Sequence, residues 1–269
     1  MGNPVVHFDI SGPDPAELQS FYQDLFGWAV TPVPGMEYAL VDTQAGSGIN
    51  GGIGASQEGN GGVTFYVFSE DLQASLDKAE SLGARTTQPV TVIPGTVTLA
   101  MFDDPAGNPI GLVGSATGQE GQEAPGPSAG NGAPVSWFEV MGTDAGALVA
   151  FYTELFGWET KKYDIPGDVE YHEVDTKAGQ GIAGGIGSNP NGVAYVTVYA
   201  DVPDLQATVD RAGQLGGKTL KPPETMPNGP TIAMLADPQG HMFGILPVAL
   251  ARFTPISMKN NWIVLPIGR

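Results

Sequence analysis

The chain has 269 residues, with 11 basic and 29 acidic side chains, no cysteine and a formal net charge of −18 at pH 7. Such an acidic protein repels nucleic-acid phosphates and anionic lipid, so neither is an expected partner. The absence of cysteine excludes disulfides, thiolate nucleophiles and sulfur-ligated metals. No apolar run is long enough to span a bilayer, and the N-terminal residues show no signal-peptide pattern. A soluble, cytoplasmic protein is therefore expected.

The first residues alternate between strand-like and helical patterns. Val5–Ile10 alternates like a strand. A helix is expected from Asp14, with Glu17 completing a capping box, to Phe26, where Gly27 ends it. The strands and helix predicted next follow in chain order as Tyr38–Asp42, Ile49–Gly54, Val63–Phe68, helix Asp71–Leu82, Arg85–Val90, Val97–Phe102 and Pro109–Val113. This order predicts the unit βαβββ twice in succession.

The same pattern then occurs again. The segment Phe21–Trp28 returns as Phe151–Trp158 at an offset of 130 residues, and Asp104–Gly107 returns as Asp237–Gly240 at an offset of 133. Two copies of one module explain this self-similarity. The fold class is predicted as α+β, with four βαβββ units forming two tandem modules with curled mixed sheets.

The module boundaries follow from composition. The first module is predicted over residues 1–114 and the second over 134–248. Residues 115–133 are rich in Gly and Pro and predict a flexible, exposed linker. Residues 249–269 form a C-terminal extension without a counterpart in the first module. An added strand, a partner-binding arm and a disordered end all remain open for this extension.

Two repeated motifs resemble a known superfamily. Phe-Tyr-x-x-Leu-Phe-Gly-Trp and Asp-Pro-x-Gly, each present in both modules, are similar to motifs of the vicinal oxygen chelate proteins. That superfamily includes glyoxalase I, extradiol dioxygenases and bleomycin-resistance proteins. The resemblance implies glyoxalase-like modules, each curling into a cup that is open on one side and binds a ligand.

The resemblance also implies metal ligands, commonly His, His and Glu, on the first, fifth and eighth strands of each cup. By position these sites hold His7, Thr64 and Gly111 in the first module and Trp137, Thr197 and Gly244 in the second. A transition metal needs about three protein ligands with N, O or S donors, and Gly and Trp supply none. No metal and no cofactor are therefore expected.

Alternation along the first strand of each module predicts which side chains line the cups. Phe8 and Ile10 should face the helix, while Val5, His7 and Asp9 should share the opposite face. In the second module the face opposite Phe138 and Val140 holds Trp137, Glu139 and Met141. His7, Asp9, Trp137 and Glu139 are expected to point into the cups.

Each of these side chains has a structural and a functional interpretation. An interior carboxylate is costly unless it is paired or solvated. Asp9 and Glu139 therefore either hold the sheet by binding a backbone amide or Arg, or act as ligand acceptors or bases with raised pKa. His7 is a former ligand position, a hydrogen-bonding group, a proton carrier or a core histidine. Trp137 is a stacking wall for a planar ligand or a core filler.

Further residues are assigned by position. Thr64 and Thr197 should line the fifth strands, and Tyr66 and Tyr199, two residues on, should share their face. His172 and His241 fall outside the ligand positions and are interpreted as surface or loop residues.

Four functions are compatible with these features. The first is binding of a small organic molecule in a metal-free cup, with Trp137, Thr64, Thr197, Tyr66 and Tyr199 as ligand contacts. The second is a metal-independent enzyme in which Glu139 or Asp9, with His7, moves a proton next to a carbonyl. The third is a metal-dependent lyase, isomerase or dioxygenase of the glyoxalase type. The fourth is a structural or interaction role for the acidic surface and tail.

The expected partner is a small molecule, and the expected state is a monomer or homodimer. Ligand binding is expected to use Trp137 as a wall and Glu139 as a polar anchor. The bulk of Trp137 leaves a second arrangement open, in which the second cup is partly closed and the first is open.

Overall fold

The computed structural model describes residues 2–56, 59, 61–93, 97–114, 126–164, 169–227 and 229–248. The predicted extension at 249–269 and the larger part of the predicted linker, 115–125, lie outside the described residues. None of the helices described is long and apolar enough to cross a membrane.

Each module contains eight strands and two helices in the same order. The first module contains β1 (Val5–Gly12), α1 (Pro15–Phe26), β2 (Ala29–Pro32), β3 (Tyr38–Asp42), β4 (Asn50–Ala55), β5 (Gly62–Phe68), α2 (Leu72–Ser81), β6 (Arg85–Ile93), β7 (Val97–Asp103) and β8 (Pro109–Gly114). The second module contains β9 (Val135–Gly142), α3 (Ala145–Phe156), β10 (Glu159–Tyr163), β11 (Tyr171–Asp175), β12 (Ala183–Ser188), β13 (Tyr195–Val202), α4 (Leu205–Gln214), β14 (Lys218–Thr225), β15 (Thr231–Ala236) and β16 (Met242–Pro247).

The two modules form two mixed sheets with identical topology. The first has the strand order β2-β3-β4-β1-β5-β8-β7-β6, and the second has the order β10-β11-β12-β9-β13-β16-β15-β14. Strand β1 pairs parallel with β4 and antiparallel with β5, so two βαβββ units meet along β1 and β5. This arrangement confirms the predicted α+β class and its four units. The sequence patterns did not locate β2, a four-residue edge strand that has no clear alternation.

Aspartates begin the helices, and glycines end two of them. The carboxylate of Asp14 accepts a hydrogen bond from the backbone N–H of Glu17 at 3.0 Å, which satisfies a donor in the first turn. Gly27 ends α1 with φ of 70°, a conformation that glycine adopts without steric cost. The predicted capping box is wrong in one part. The Glu17 carboxylate accepts instead from Gln239 Nε2 of the second module at 2.9 Å.

One hydrophobic core runs through both modules, because the helices lie between the two sheets. The Phe21 ring on α1 packs edge-on against Phe243 of the second module at 6.1 Å. Phe65 and Phe138 bring the two sheets into direct contact, with ring centroids 4.8 Å apart. Val5 is buried in this core, contrary to the expectation that it shares the face of His7, because a β-bulge between Val5 and His7 breaks the alternation.

Hydrogen bonds between the repeated motifs join the two modules. The hydroxyl of Tyr22 donates to Asp237 Oδ2 at 3.1 Å, and Tyr152 donates to Asp104 Oδ2 at 2.9 Å. Each bond joins the aromatic motif of one module to the Asp-Pro turn of the other. Burial, together with the neighbouring carboxylate, raises the pKa of both phenols, so they remain donors. The motifs that carry the family resemblance therefore form an interface between the modules.

His241 belongs to this interface. Its Nδ1 lies 2.9 Å from Asp237 Oδ2, and the residue is only 7% exposed. His241 lies in the turn between β15 and β16, so it is a loop residue as expected, but it is not at the surface because this turn is buried against Gly12 of the first module. His172 is half-buried and pairs with Glu170 at 2.8 Å on the outer part of the second sheet.

The end of the predicted linker is packed against the first module. Ser128 N–H donates to Asp42 Oδ1 at 3.0 Å, and Gly132 N–H donates to the carbonyl of Gln44 at 3.1 Å. The buried Ala133 accepts a hydrogen bond from Trp28 Nε1 at 2.8 Å. Ser128, Gly132 and Ala133 are therefore held to the first module by hydrogen bonds, and the flexibility of the linker stays a prediction.

The inter-module bonds lead to a stability prediction. Tyr22→Phe and Tyr152→Phe each remove a donor from a buried carboxylate, so each should lower the free energy of unfolding by about 1–3 kcal/mol. Urea denaturation of the full chain measures this loss. Tyr163→Phe on the exposed strand β10 is the matched control and should change stability by less than about 0.5 kcal/mol. A loss no larger than that of the control would show that the interface bonds contribute nothing.

Candidate functional site

The face of the first sheet that is opposite the core, here the first cup, is built around Asp9. Asp9 Oδ1 accepts a hydrogen bond from the Tyr38 hydroxyl at 2.8 Å. His7 Nε2 lies 3.2 Å from both Asp9 Oδ1 and the Tyr38 hydroxyl. The His7 ring also packs edge-on against Tyr66, with centroids 5.6 Å apart. Strands β1, β3 and β5 thus bring an imidazole, a carboxylate and two phenols together.

The polar groups of the first cup are accessible to solvent. The side chains of His7 and Asp9 are 23% and 22% exposed, and Tyr38 is half-buried. Burial, followed by the neighbouring Asp9 carboxylate, raises the pKa of Tyr38 and Tyr66. Both phenols are therefore protonated donors at neutral pH. A carboxylate that is held by donors and remains open on one side can accept a further hydrogen bond or a positive charge.

The corresponding face of the second sheet, the second cup, is built around Glu139. Its two carboxylate oxygens accept hydrogen bonds from Tyr171 at 3.0 Å and Tyr199 at 2.8 Å. Trp137 Nε1 donates to the Tyr171 hydroxyl at 3.3 Å. Glu139 is only 8% exposed, and burial raises its pKa against the opposing effect of both hydroxyls and of the Lys221 charge. The Glu139 carboxylate is therefore enclosed by side chains of the second cup.

The two cups differ in how much of their space side chains fill. Ser11 and Met141 are equivalent residues of β1 and β9. Ser11 pairs with Gly62 and Met141 pairs with Tyr195, so Gly62 and Tyr195 are also equivalent. At five equivalent positions the first cup has the smaller residue: His7 for Trp137, Asp9 for Glu139, Ser11 for Met141, Gly62 for Tyr195 and Pro109 for Met242. The first cup is therefore the more open of the two.

Glycines on neighbouring strands leave room for the tyrosines of both cups. A Cβ atom on Gly111 would collide with the ring of Tyr66, and one on Gly244 would collide with the ring of Tyr199. Both glycines occupy the third metal-ligand position of the family. A ligand side chain at that position requires displacement of the tyrosine ring. Glycine is therefore required here by the close approach of the ring.

The positions that hold a metal in family enzymes do not fit one in this chain. The Thr64 hydroxyl donates to the Pro109 carbonyl at 2.9 Å, and the Thr197 hydroxyl donates to Met242 at 2.8 Å. His7 is the one good ligand among the six positions. Across the described part of the chain, no group of three or more His, Cys, Asp or Glu side chains is arranged to hold a metal ion.

A separate cavity of about 570 Å³ lies outside both cups, beside residues 2–4 and the start of α2. Two of its polar side chains bond to each other, since Ser69 and Ser75 share a hydrogen bond of 2.8 Å, and Lys78 lies 3.9 Å from Glu154. The cups are the better candidates for a site because they bring the predicted side chains together around a carboxylate.

The structure brings the predicted residues together as two clusters. His7, Asp9 and Tyr66 meet in the first cup, and Trp137, Glu139 and Tyr199 meet in the second. Thr64 and Thr197 are buried beside them with hydroxyls bonded to backbone carbonyls. Sequence reasoning missed Tyr38 and Tyr171, which donate directly to the two carboxylates. Their recurrence at the offset of 133 residues, within two equivalent strands, was the signal that would have found them.

The Glyoxalase-like domain family matches residues 6–113 and 138–246, which cover both modules. This chain belongs to the glyoxalase-like domain family. The match agrees with the division of the chain into two modules of the same topology.

Similar proteins extend over nearly the whole chain. "Anthracycline biosynthesis protein DnrV" of Streptomyces peucetius is 30% identical over 264 residues, covering 89% of this chain and 91% of that protein. "Putative glyoxylase CFP32" of Mycobacterium tuberculosis is 27% identical over 247 residues, covering 88% and 92%. The structure of homoprotocatechuate 2,3-dioxygenase from Arthrobacter globiformis superimposes with a TM-score of 0.65 at 14% identity, covering 91% of this chain and 80% of that one. At that identity the likeness shows a shared fold alone.

The donor set leads to a prediction about metals. The purified, untagged chain should not bind Mn²⁺, Fe²⁺, Ni²⁺ or Zn²⁺ stoichiometrically at the cups, because a single histidine does not complete a transition-metal site. Isothermal titration of the metal-stripped protein with each ion measures this, and His7→Gln is the control. Binding of one ion per chain that His7→Gln abolishes would contradict the prediction.

Proposed function

We propose that this protein binds a small organic molecule in the first cup without a metal ion. The observation that carries the proposal is the difference between the cups. Five smaller residues leave the first cup open around His7, Asp9 and Tyr38, whereas the second cup surrounds Glu139 with tyrosines, Trp137 and methionines. The family fold provides the concave surface, and the residues at the metal positions support binding by hydrogen bonds and aromatic contact.

The chemistry of the first cup suits a flat ligand with a polar group. Tyr38, Tyr66 and His7 offer aromatic surface, and rings of this kind stack on planar ligands. The Asp9 carboxylate offers an acceptor beside them. Anthracyclines are flat polycyclic molecules, so the relatives named for anthracycline biosynthesis support a ligand of similar shape. In the second cup, Trp137 and Glu139 are satisfied by neighbouring tyrosines, which supports a structural role for that cluster.

A second candidate function is metal-independent proton transfer in the same cup. It is favoured by one observation, the 3.2 Å approach of His7 Nε2 to Asp9 Oδ1. A carboxylate beside an imidazole can orient it and stabilise its protonated form, as general acid–base catalysis requires. In this case Asp9 is the positioning residue, and His7 takes a proton from carbon next to a ligand carbonyl. Turnover that His7→Gln abolishes without loss of ligand affinity would distinguish this function from binding alone.

The difference between the cups provides a direct test of the binding site. Gly62→Tyr introduces into the first cup the residue that its counterpart has in the second. A Cβ on Gly62 meets no atom within 4 Å, so the substitution should be compatible with folding. It should weaken binding of a flat neutral probe, 1-naphthalenemethanol, by at least about tenfold, because the new ring occupies the ligand's volume. Ligand-observed NMR measures the affinity, and circular dichroism checks the fold.

The matched control is Tyr195→Ala in the second cup, which should leave the affinity for the probe unchanged. Equal affinity of the Gly62→Tyr variant and the parent chain would place the site elsewhere. A loss of affinity in Tyr195→Ala with no loss in Gly62→Tyr would assign the probe to the second cup.

A further inference from the structure

The two cup carboxylates differ in their charged surroundings. Glu139 lies in the field of Lys221, whose positive charge lowers the pKa of Glu139 against the larger effect of burial. Lys221 pairs with Met234 on β15, and the residue that pairs with the equivalent Met101 is Gln88. The second module therefore has a lysine, which forms an ion pair with Glu224 at 3.1 Å, where the first module has an uncharged amide.

Other basic side chains do not supply the missing charge. The first 114 residues contain only two, Lys78 and Arg85. Lys78 lies against Glu154 of the second module, and Arg85 forms an ion pair with Asp103 at the outer end of the sheet. Among the described residues, no lysine or arginine lies within ion-pair distance of Asp9. Its neighbours are the Tyr38 and Tyr66 hydroxyls and the His7 ring.

A carboxylate in a partly sheltered, aromatic-lined site favours a positive partner. Removing an ion from water is costly unless an opposite charge or several donors replace the water. Tyrosine faces attract cations in addition, and aromatic groups around a carboxylate suit ammonium and quaternary ammonium groups. The same carboxylate repels anionic ligands.

We infer that the ligand of the first cup is an organic cation, an amine or quaternary ammonium group on a flat apolar body, with Asp9 as its counter-ion. Tyr38 and Tyr66 would contact the body and the charged group. This inference rests on the proposed function and narrows it from any small organic molecule to a cationic one. The inference also predicts that the two cups differ in cation binding, because the positive charge of Lys221 makes the second cup the poorer site for a cation.

Three probes of one size and shape test the inference. These are 1-naphthylmethylamine, 1-naphthalenemethanol and 1-naphthoate, which at pH 8 are cationic, neutral and anionic. The full chain should bind the amine roughly tenfold tighter than the alcohol and the alcohol tighter than the naphthoate. Asp9→Asn preserves an acceptor for Tyr38 and removes the charge. It should abolish the preference, so that the affinities of this variant for the amine and the alcohol lie within about twofold of each other.

Asp24→Asn on the exposed face of α1 is the matched control, because it changes the net charge by the same amount away from the cup. It should leave the preference intact, and its failure to do so would assign the effect to the overall acidic surface. Equal binding of all three probes, with Gly62→Tyr still weakening each of them, would overturn the cationic ligand and leave the proposed site in place. Binding of none of the probes, or binding that Gly62→Tyr leaves unchanged, would overturn both.

Discussion

The packing of the two modules against each other determines which faces of their sheets are free. Each aromatic motif places a tyrosine hydroxyl on the aspartate of the opposite module, and each indole donates to a backbone carbonyl next to the opposite module, Trp28 to Ala133 and Trp158 to Asn3. These polar bonds are buried within a shared apolar core, where an unpaired donor or acceptor would be costly. Because the helices and the Phe65–Phe138 contact lie on the faces at which the two sheets meet, both cups face outward.

The residues at the interface must be similar in the two modules, whereas the residues that line the cups can differ. The interface requires both modules to have the same turn, helix and aromatic cluster. The cups do not contact each other through these groups, so their linings can change without breaking the fold. One cup has closed over its carboxylate with large side chains, and the other has small residues at the same positions. The pseudo-twofold fold thus carries one packed copy and one open copy of the same concave surface.

The position that the resemblance assigns to the third metal ligand is a glycine in both modules. This glycine lets a tyrosine ring lie across the sheet, and the hydroxyl of that tyrosine approaches the carboxylate on the central strand. A larger side chain at that position would need the space that the aromatic ring occupies.

Much of the fold could be predicted from the sequence, because a repeat of strand and helix patterns constrains every element twice. The errors have local physical causes. A β-bulge places Val5 in the core. The Glu17 carboxylate bonds to Gln239 of the second module instead of closing the capping box. The turn that contains His241 is buried rather than at the surface. The candidate carboxylates were found from alternation along one strand. Their tyrosine partners were missed because Asp9 and Tyr38 meet only through strand order, which periodicity along a strand does not reveal.

The most direct measurement is a crystal structure of the full chain grown at pH 8 with 1-naphthylmethylamine. The account predicts density for the probe in the first cup, with its nitrogen beside the Asp9 carboxylate, its ring against the tyrosines and no probe over Glu139. Probe density confined to the second cup, or a metal ion coordinated by His7, would contradict it.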